Sequence, residues 1–183
     1  MADLARIGGW GRLADGSFAT WSVAEGRRGR RWREMRGAGG AVVSSLLLET
    51  DPDGRFSHLE LSTTAGLLTL HPEDDGTIHG NTVGEAGVAH VVGLPWEADG
   101  LLVVEGSAIA ATAAVAVARG HVAPGGSIGL GAIVVGLDLR LRPEPVTVER
   151  RAAEVWLVGD EPPLRLDDRG LPILDDGADW PLE

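Results

Sequence analysis

Three residue types are missing from this chain of 183 residues: it has no cysteine, no lysine and no tyrosine, and all 16 of its basic side chains are arginine. Without cysteine there is no disulfide, no thiolate nucleophile, no Cys-ligated zinc and no iron–sulfur cluster. Without lysine there is no P-loop lysine, no PLP Schiff base and no strand lysine of the protein-kinase kind. Long apolar runs are missing too. No stretch reaches the roughly eighteen residues of a membrane-spanning helix, and MADLARIGGWGRLADG lacks the apolar segment of a secretory signal. An apolar content of 44% nevertheless argues against disorder. The chain therefore reads as one cytoplasmic domain, 1–183, long enough to bury a core without staples.

Charge is unevenly placed. Eight arginines in residues 1–40 face only Asp3, Asp15, Glu25 and Glu34, whereas the rest of the chain is strongly acidic and brings the net charge to −11. So acidic a body disfavours nucleic acid, whose binding depends on neutralising phosphates.

What is abundant is turn punctuation. Between Ala41 and Asn81, apolar-rich segments are separated by TDPDG, STTAG and HPEDDG, each with a glycine for the tight turn. Leu59 and Leu61 alternate with His58, Glu60 and Ser62, a period of two that marks an antiparallel β-meander over 41–82. Upstream, SFATWSVA and RRWREMR form an Arg-rich hairpin, 17–36, around the turn EGRRG. Downstream, HVVGL and LLVVEG read as short strands flanking PWEADG. Ile133, Val135, Leu137, Leu139 and Leu141 alternate with polar neighbours and predict one half-buried strand over 133–142. Residues 146–158 switch parity, which requires a β-bulge near Arg150–Ala153 or a break into two strands. In 107–119, alanine favours helix, but the shared parity of Ile109, Val115 and Val117 and the neighbouring strands favour strand. C-terminal strands span 133–167, and 168–183 is a turn-rich tail with Trp180 as its plug. The fold class expected is mainly β with little helix: an antiparallel β-roll or open half-barrel.

The strand–turn–strand LLLETDPDGRFSHLELSTTAGLLTL running into DDGTIHGN, and the ending VWLVGD…LRLDDRGLPILDDGADWP, resemble the glycolipid-binding family of bacterial β-proteins. The resemblance spans most of the chain and implies a spiral β-roll or open half-barrel, in a family whose members mostly lack an established activity, and it tilts the reading towards a lipid-like ligand. The family's polar Thr-Asn-x-x-Pro-x-Arg-Arg region would fall near Ala110–Arg119, where this chain keeps only Thr112 and Arg119.

Several residue groups are candidates for chemistry. Arg27, Arg28, Arg30, Arg31, Arg33 and Arg36 surround Trp32, and forked guanidinium groups suit phosphate, sulfate or carboxylate. The same charges on both strand faces also serve as an edge that resists aggregation. His71 and His79 flank a hairpin turn that contains Glu73, Asp74 and Asp75, yet no recognised metal spacing appears. Gly125-Gly126-Ser127-Ile128-Gly129 matches the G-x-S-x-G nucleophile elbow in letters only, because a strand follows and no histidine comes after Ser127. Glu49-x-Asp51-x-Asp53-Gly54 approaches a calcium loop, but Pro52 and flanking strands make it a hairpin turn. Asp74–Asp75, Asp167–Asp168 and Asp175–Asp176 stand beside glycine, where turn chemistry explains them.

Segments apolar on both parities, such as Leu46–Leu48, Leu67–Leu68 and Leu101–Val104, point to a curved sheet enclosing an apolar groove or cavity. The leading expectation is non-catalytic binding of a lipid-like or glycolipid molecule, with Arg28, Arg30, Trp32, Arg33, His71, His79 and Trp96 as the ligand-binding residues. No catalytic residue, metal or cofactor is assigned. A small-molecule enzyme using His71, His79 and nearby carboxylates such as Asp75, with or without a metal, and a homodimeric interaction module are the alternatives.

Overall fold

Short turns of two to five residues set the repeat of the first half of the chain. In the computed structural model, which describes residues 5–12 and 17–173, β1 (Ala5–Arg12), β2 (Phe18–Gly26), β3 (Gly29–Ala38), β4 (Ala41–Thr50), β5 (Phe56–Thr63), β6 (Gly66–Pro72), β7 (Thr77–Gly84) and β8 (Gly87–Pro95) follow one another. They pair only with their sequence neighbours, as one antiparallel eight-stranded meander. Glycine is required where a turn folds a strand onto its neighbour. Gly66 has φ +137°, and a Cβ there would stand 2.0 Å from the carbonyl oxygen of Val83.

β9 (Leu101–Val104), α1 (Ala108–Ala118), β10 (Gly126–Val135), β11 (Leu141–Arg150), β12 (Val155–Val158) and β13 (Leu164–Arg165) complete the fold. The second sheet has the order β13-β12-β11-β10-β9 and curls as a half-barrel. Its β9–β10 pair is parallel, because α1 carries the chain back across the sheet. One continuous set of buried residues, from Trp21 and Trp32 through Ile109 and Val115 to Val148 and Trp156, joins both sheets and the helix. The protein is thus mainly β, as its turns and alternation predicted.

Three local expectations change. Residues 107–119 are helix rather than strand. Ser107 caps α1, its Oγ accepting from Ala110 N–H at 3.1 Å, and Ala108–Val115 are all buried. A helix buried on every side has no polar stripe, so the 3.6-residue period cannot show and chance parity took its place. The 133–142 alternation is a hairpin, not one strand. Gly136–Arg140 form the turn, with Leu139 at φ +65°, and Val135 pairs with Leu141. Paired residues point to one face, so an odd-length loop leaves the alternation unbroken in the sequence. Residues 146–158 resolve as a break, with Arg151 N–H bonded to Val155 O at 2.9 Å between β11 and β12. Trp180 and Asp175–Asp176 lie outside the described residues.

The expected apolar interior is filled. α1 packs on β3, β9 and β12, and the gap between Leu48, Phe56, Leu102 and Ala114 measures about 10 Å³. That is room for at most one water.

Candidate functional site

Alternation gives the eight-stranded sheet two faces. One is turned to the core and carries Trp21, Trp32, Leu46, Leu48, Leu59, Leu61, Leu68 and Leu70. The other is left to solvent, and the pairing register arranges its side chains in rows that cross the strands. In one row Trp10 pairs with Thr20, Thr20 with Met35 and Met35 with Ser45. The row continues through Ser62, Leu67, Val83 and Val88. Trp10 (64% exposed), Met35, Leu67, Val83 and Val88 are its exposed apolar members, with Thr20, Ser45 and Ser62 between the first three, and Leu67, Val83 and Val88 consecutive.

The next row runs Ser22, Arg33, Leu47, Glu60, Thr69, Asn81 and His90. Beyond it Arg31 pairs with Glu49 and Glu49 with His58, while His71 pairs with His79. Same-face neighbours on adjacent strands lie roughly 5 Å apart at Cβ, close enough to act on one ligand. Between the first two rows is a concavity of about 440 Å³ lined by Thr20, Ser22, Arg33, Met35, Ser45, Leu47, Glu60, Ser62 and Leu67. It offers four hydroxyls, one cation, one anion and three aliphatic side chains.

Much of the polar network on this face is already paired. Arg31 Nε donates to Glu49 at 2.6 Å, His58 contacts Glu60 at 3.1 Å, His71 contacts Glu73 at 3.0 Å, and His90 meets Asn81 Oδ1 at 2.7 Å. Arg33 has no ion-pair partner among the described residues, so its guanidinium is available to a ligand.

The residues singled out from the sequence separate into three places. Arg33, His71 and His79 share the outer face, and the two histidines are direct cross-strand neighbours. Arg28 is in the exposed turn between β2 and β3, and Arg30 at the start of β3 faces the opposite way to Arg31. Arg30 contacts Glu25 at 3.5 Å and stands 5.7 Å above the Trp32 ring. Trp32 is fully buried, its indole N–H donating to Thr50 Oγ1 at 3.3 Å, and Trp96 packs edge-on against Phe56 at 5.5 Å. Both tryptophans serve packing in this geometry. Among the described residues no three His, Asp or Glu side chains are grouped to hold a metal ion. Ser127 is an exposed strand residue, and the Asp51, Asp75 and Asp167 carboxylates accept backbone N–H bonds within their own turns.

Thr20, Ser22, Met35, Ser45, Glu60 and Ser62 were not singled out by sequence reasoning, and Leu47 and Leu67 only as members of segments apolar on both parities. The available signal was Leu67–Leu68: once Leu68 faces the core with Leu59 and Leu61, Leu67 has to face water.

Directly beneath Arg33 and Met35, Glu34 points to the other side, into the N-terminus of α1. It accepts from Ile109 N–H and from the Ser107 hydroxyl, and burial raises its pKa to about 7 against the opposing pull of Arg36 and those hydrogen bonds. Arg36 Nη1 donates to Gly106 O at 3.1 Å, and Glu161 accepts from Gly106 N–H at 2.9 Å. Burial also raises the Glu161 pKa. This cluster fixes the helix start to β3, the strand that carries Arg33. No family model, curated protein or solved structure matches the chain, and the functional reading rests on the geometry of the molecule itself.

Proposed function

We propose that the protein is a non-catalytic binding module that lays an amphipathic, glycolipid-like molecule across the outer face of its eight-stranded sheet. The observation that carries this reading is the concavity on the open face where hydroxyl, charged and aliphatic side chains meet. Hydroxyls of Thr20, Ser22, Ser45 and Ser62, with Arg33 and Glu60, line a concavity of sugar size. Sugar hydroxyls both donate and accept, as do serine and threonine. Leu67, Val83 and Val88, consecutive across three strands, continue from it as an exposed apolar strip for a chain. His71 and His79 stand at the far polar border, next to Glu73. The groove is external because α1 occupies the interior.

Native mass spectrometry of the purified chain, followed by organic extraction of the same sample, tests the reading. The expected result is a lipid or glycolipid mass that extraction removes. In Leu67→Glu, which places a charge on the strip, retention of that molecule is expected to fall about tenfold or more, as befits the loss of one buried aliphatic contact. An apo mass in the unmodified protein, or equal retention by the variant, counts against it.

A second reading has its own observation. β8 is an edge strand whose sequence GVAHVVGLP has no Asp, Glu or Arg, with Val88 63% and Val92 68% exposed. Uncharged edges invite pairing with another strand, here β8 of a second copy. Sedimentation velocity is expected to show a dimer that Val92→Lys dissociates; a monomer at every concentration removes this reading.

A further inference from the structure

The geometry points to a second, independent site: an oxyanion of the phosphate type held between Arg30, Arg119 and Arg169 at the C-terminal end of α1. These arginines come from β3, from the C-cap of α1 and from the turn at 167–170, far apart in sequence. The fold gathers them around one cleft of about 250 Å³, walled also by Gly26, Gly29 and Gly54 and by the carboxylates of Glu25, Asp51 and Asp53. A Cβ placed on Gly170, which has φ +71°, would stand 3.1 Å from Arg119 Nη1 and 3.8 Å from Arg30 Nη1. The Arg119 and Arg30 guanidinium groups therefore both reach the same side of the 167–170 turn.

The donors there are underused. Arg119 makes one long contact, Nη2 to the Asp167 carbonyl at 3.5 Å, and no ion pair with any described residue. Arg30 reaches Glu25 only at 3.5 Å, although its side chain is 17% exposed. Arg169 Nη2 donates to Glu25 Oε2 at 2.7 Å, so a single carboxylate serves two arginines. The other nearby carboxylates, Asp51 and Asp53 of the cleft and Asp167 of the turn, have partners of their own. Asp51 Oδ1 accepts from the N–H groups of Asp53 and Arg55, Asp53 pairs with Arg55 at 3.6 Å, and Asp167 Oδ1 accepts from Arg169 and Leu171 N–H. The carbonyl end of α1 opposes an anion here, which is why Arg119 at the C-cap is needed. Forked guanidinium groups on several sides match a tetrahedral oxyanion better than a point charge does. The site is separate from the outer face and stands or falls without it.

The experiment titrates the full chain with inorganic phosphate and, in parallel, with glycerol 3-phosphate, at ionic strength held constant with chloride. Arginine Nε–Hε NMR signals of the unmodified protein are followed, and the titration is repeated on Arg119→Gln and on the control Arg142→Gln, whose partner Glu105 lies elsewhere. The expected result is saturable movement of the Arg30 and Arg119 signals and about tenfold or greater weakening in R119Q alone, the scale of a lost charged hydrogen bond. Tighter binding of glycerol 3-phosphate identifies a phosphate ester as the ligand, and equal binding identifies the free anion; both support the site. Unmoved Arg30 and Arg119 signals with both probes overturn it, as does equal weakening in R119Q and R142Q. Should R119Q fail to fold, the unmodified protein's signals decide alone.

Discussion

Glu34 shows how one residue links the stability of the fold to the face it supports. It is 7% exposed, and burial lifts its pKa from 4.5 to about 7. A carboxyl whose folded pKa is raised binds more protons folded than unfolded between those values. The stability it contributes is present in full below about pH 4.5 and is lost as pH rises through 7. Glu25 acts in the opposite sense, its pKa lowered mainly by the bond from Arg169, so the measurement must isolate Glu34. The difference in urea-unfolding free energy between the unmodified chain and Glu34→Gln is expected to change by about 3 kcal/mol from pH 4.5 to pH 8, in favour of the variant. A difference that does not vary with pH contradicts this assignment. The alternation in the sequence already put Glu34 on the same side as Trp32. What the sequence could not reveal is that Ser107 and Ile109, more than seventy residues later, meet it there.

At the level of elements, legibility followed the strength of local signals. The hairpin around Arg27–Arg28 and the meander of β4 to β7 were readable because glycine turns and period-two leucines both mark local structure. α1 was not, because burial on all sides removes the polar stripe that identifies a surface helix. The 136–140 turn was hidden by its odd length, although Gly136 and Asp138, whose Oδ1 accepts from Arg140 N–H, were its local signs. α1 is also the element on which the core depends most. Ile109 is fully buried within it, and Ile109→Ala is expected to cost about 2–5 kcal/mol in urea unfolding. Because the outer face lies on the other side of the sheet, ligand affinity of the folded variant is expected to stay within about twofold, since distant sites act nearly independently. A large fall in affinity at unchanged stability would instead place the ligand next to the helix.

For the whole molecule, the division of labour is between a filled interior and an open surface. α1 and the second sheet take up the core-facing side of the meander, leaving Trp10, Met35, Leu67, Val83 and Val88 exposed on the other. Leu67, Val83 and Val88 adjoin one another there, and contiguous exposed apolar side chains mark contact surfaces. The candidate site was only half legible in the sequence. Arg33, His71 and His79 were chosen for their chemistry and do share the outer face, whereas Trp32 and Trp96 were chosen for theirs and pack inward. Met35, Ser45 and Ser62 are ordinary residues one by one, and only the register of three strands turns them into a row. The most direct test is a ¹H–¹⁵N NMR titration of the chain with an alkyl glucoside below its micelle concentration. The expected result is saturable shifts clustered at Thr20, Ser22, Arg33, Met35, Ser45, Ser62 and Leu67 with α1 unmoved. Shifts confined to α1 and the second sheet, or no saturable shifts at all, would contradict binding on the outer face.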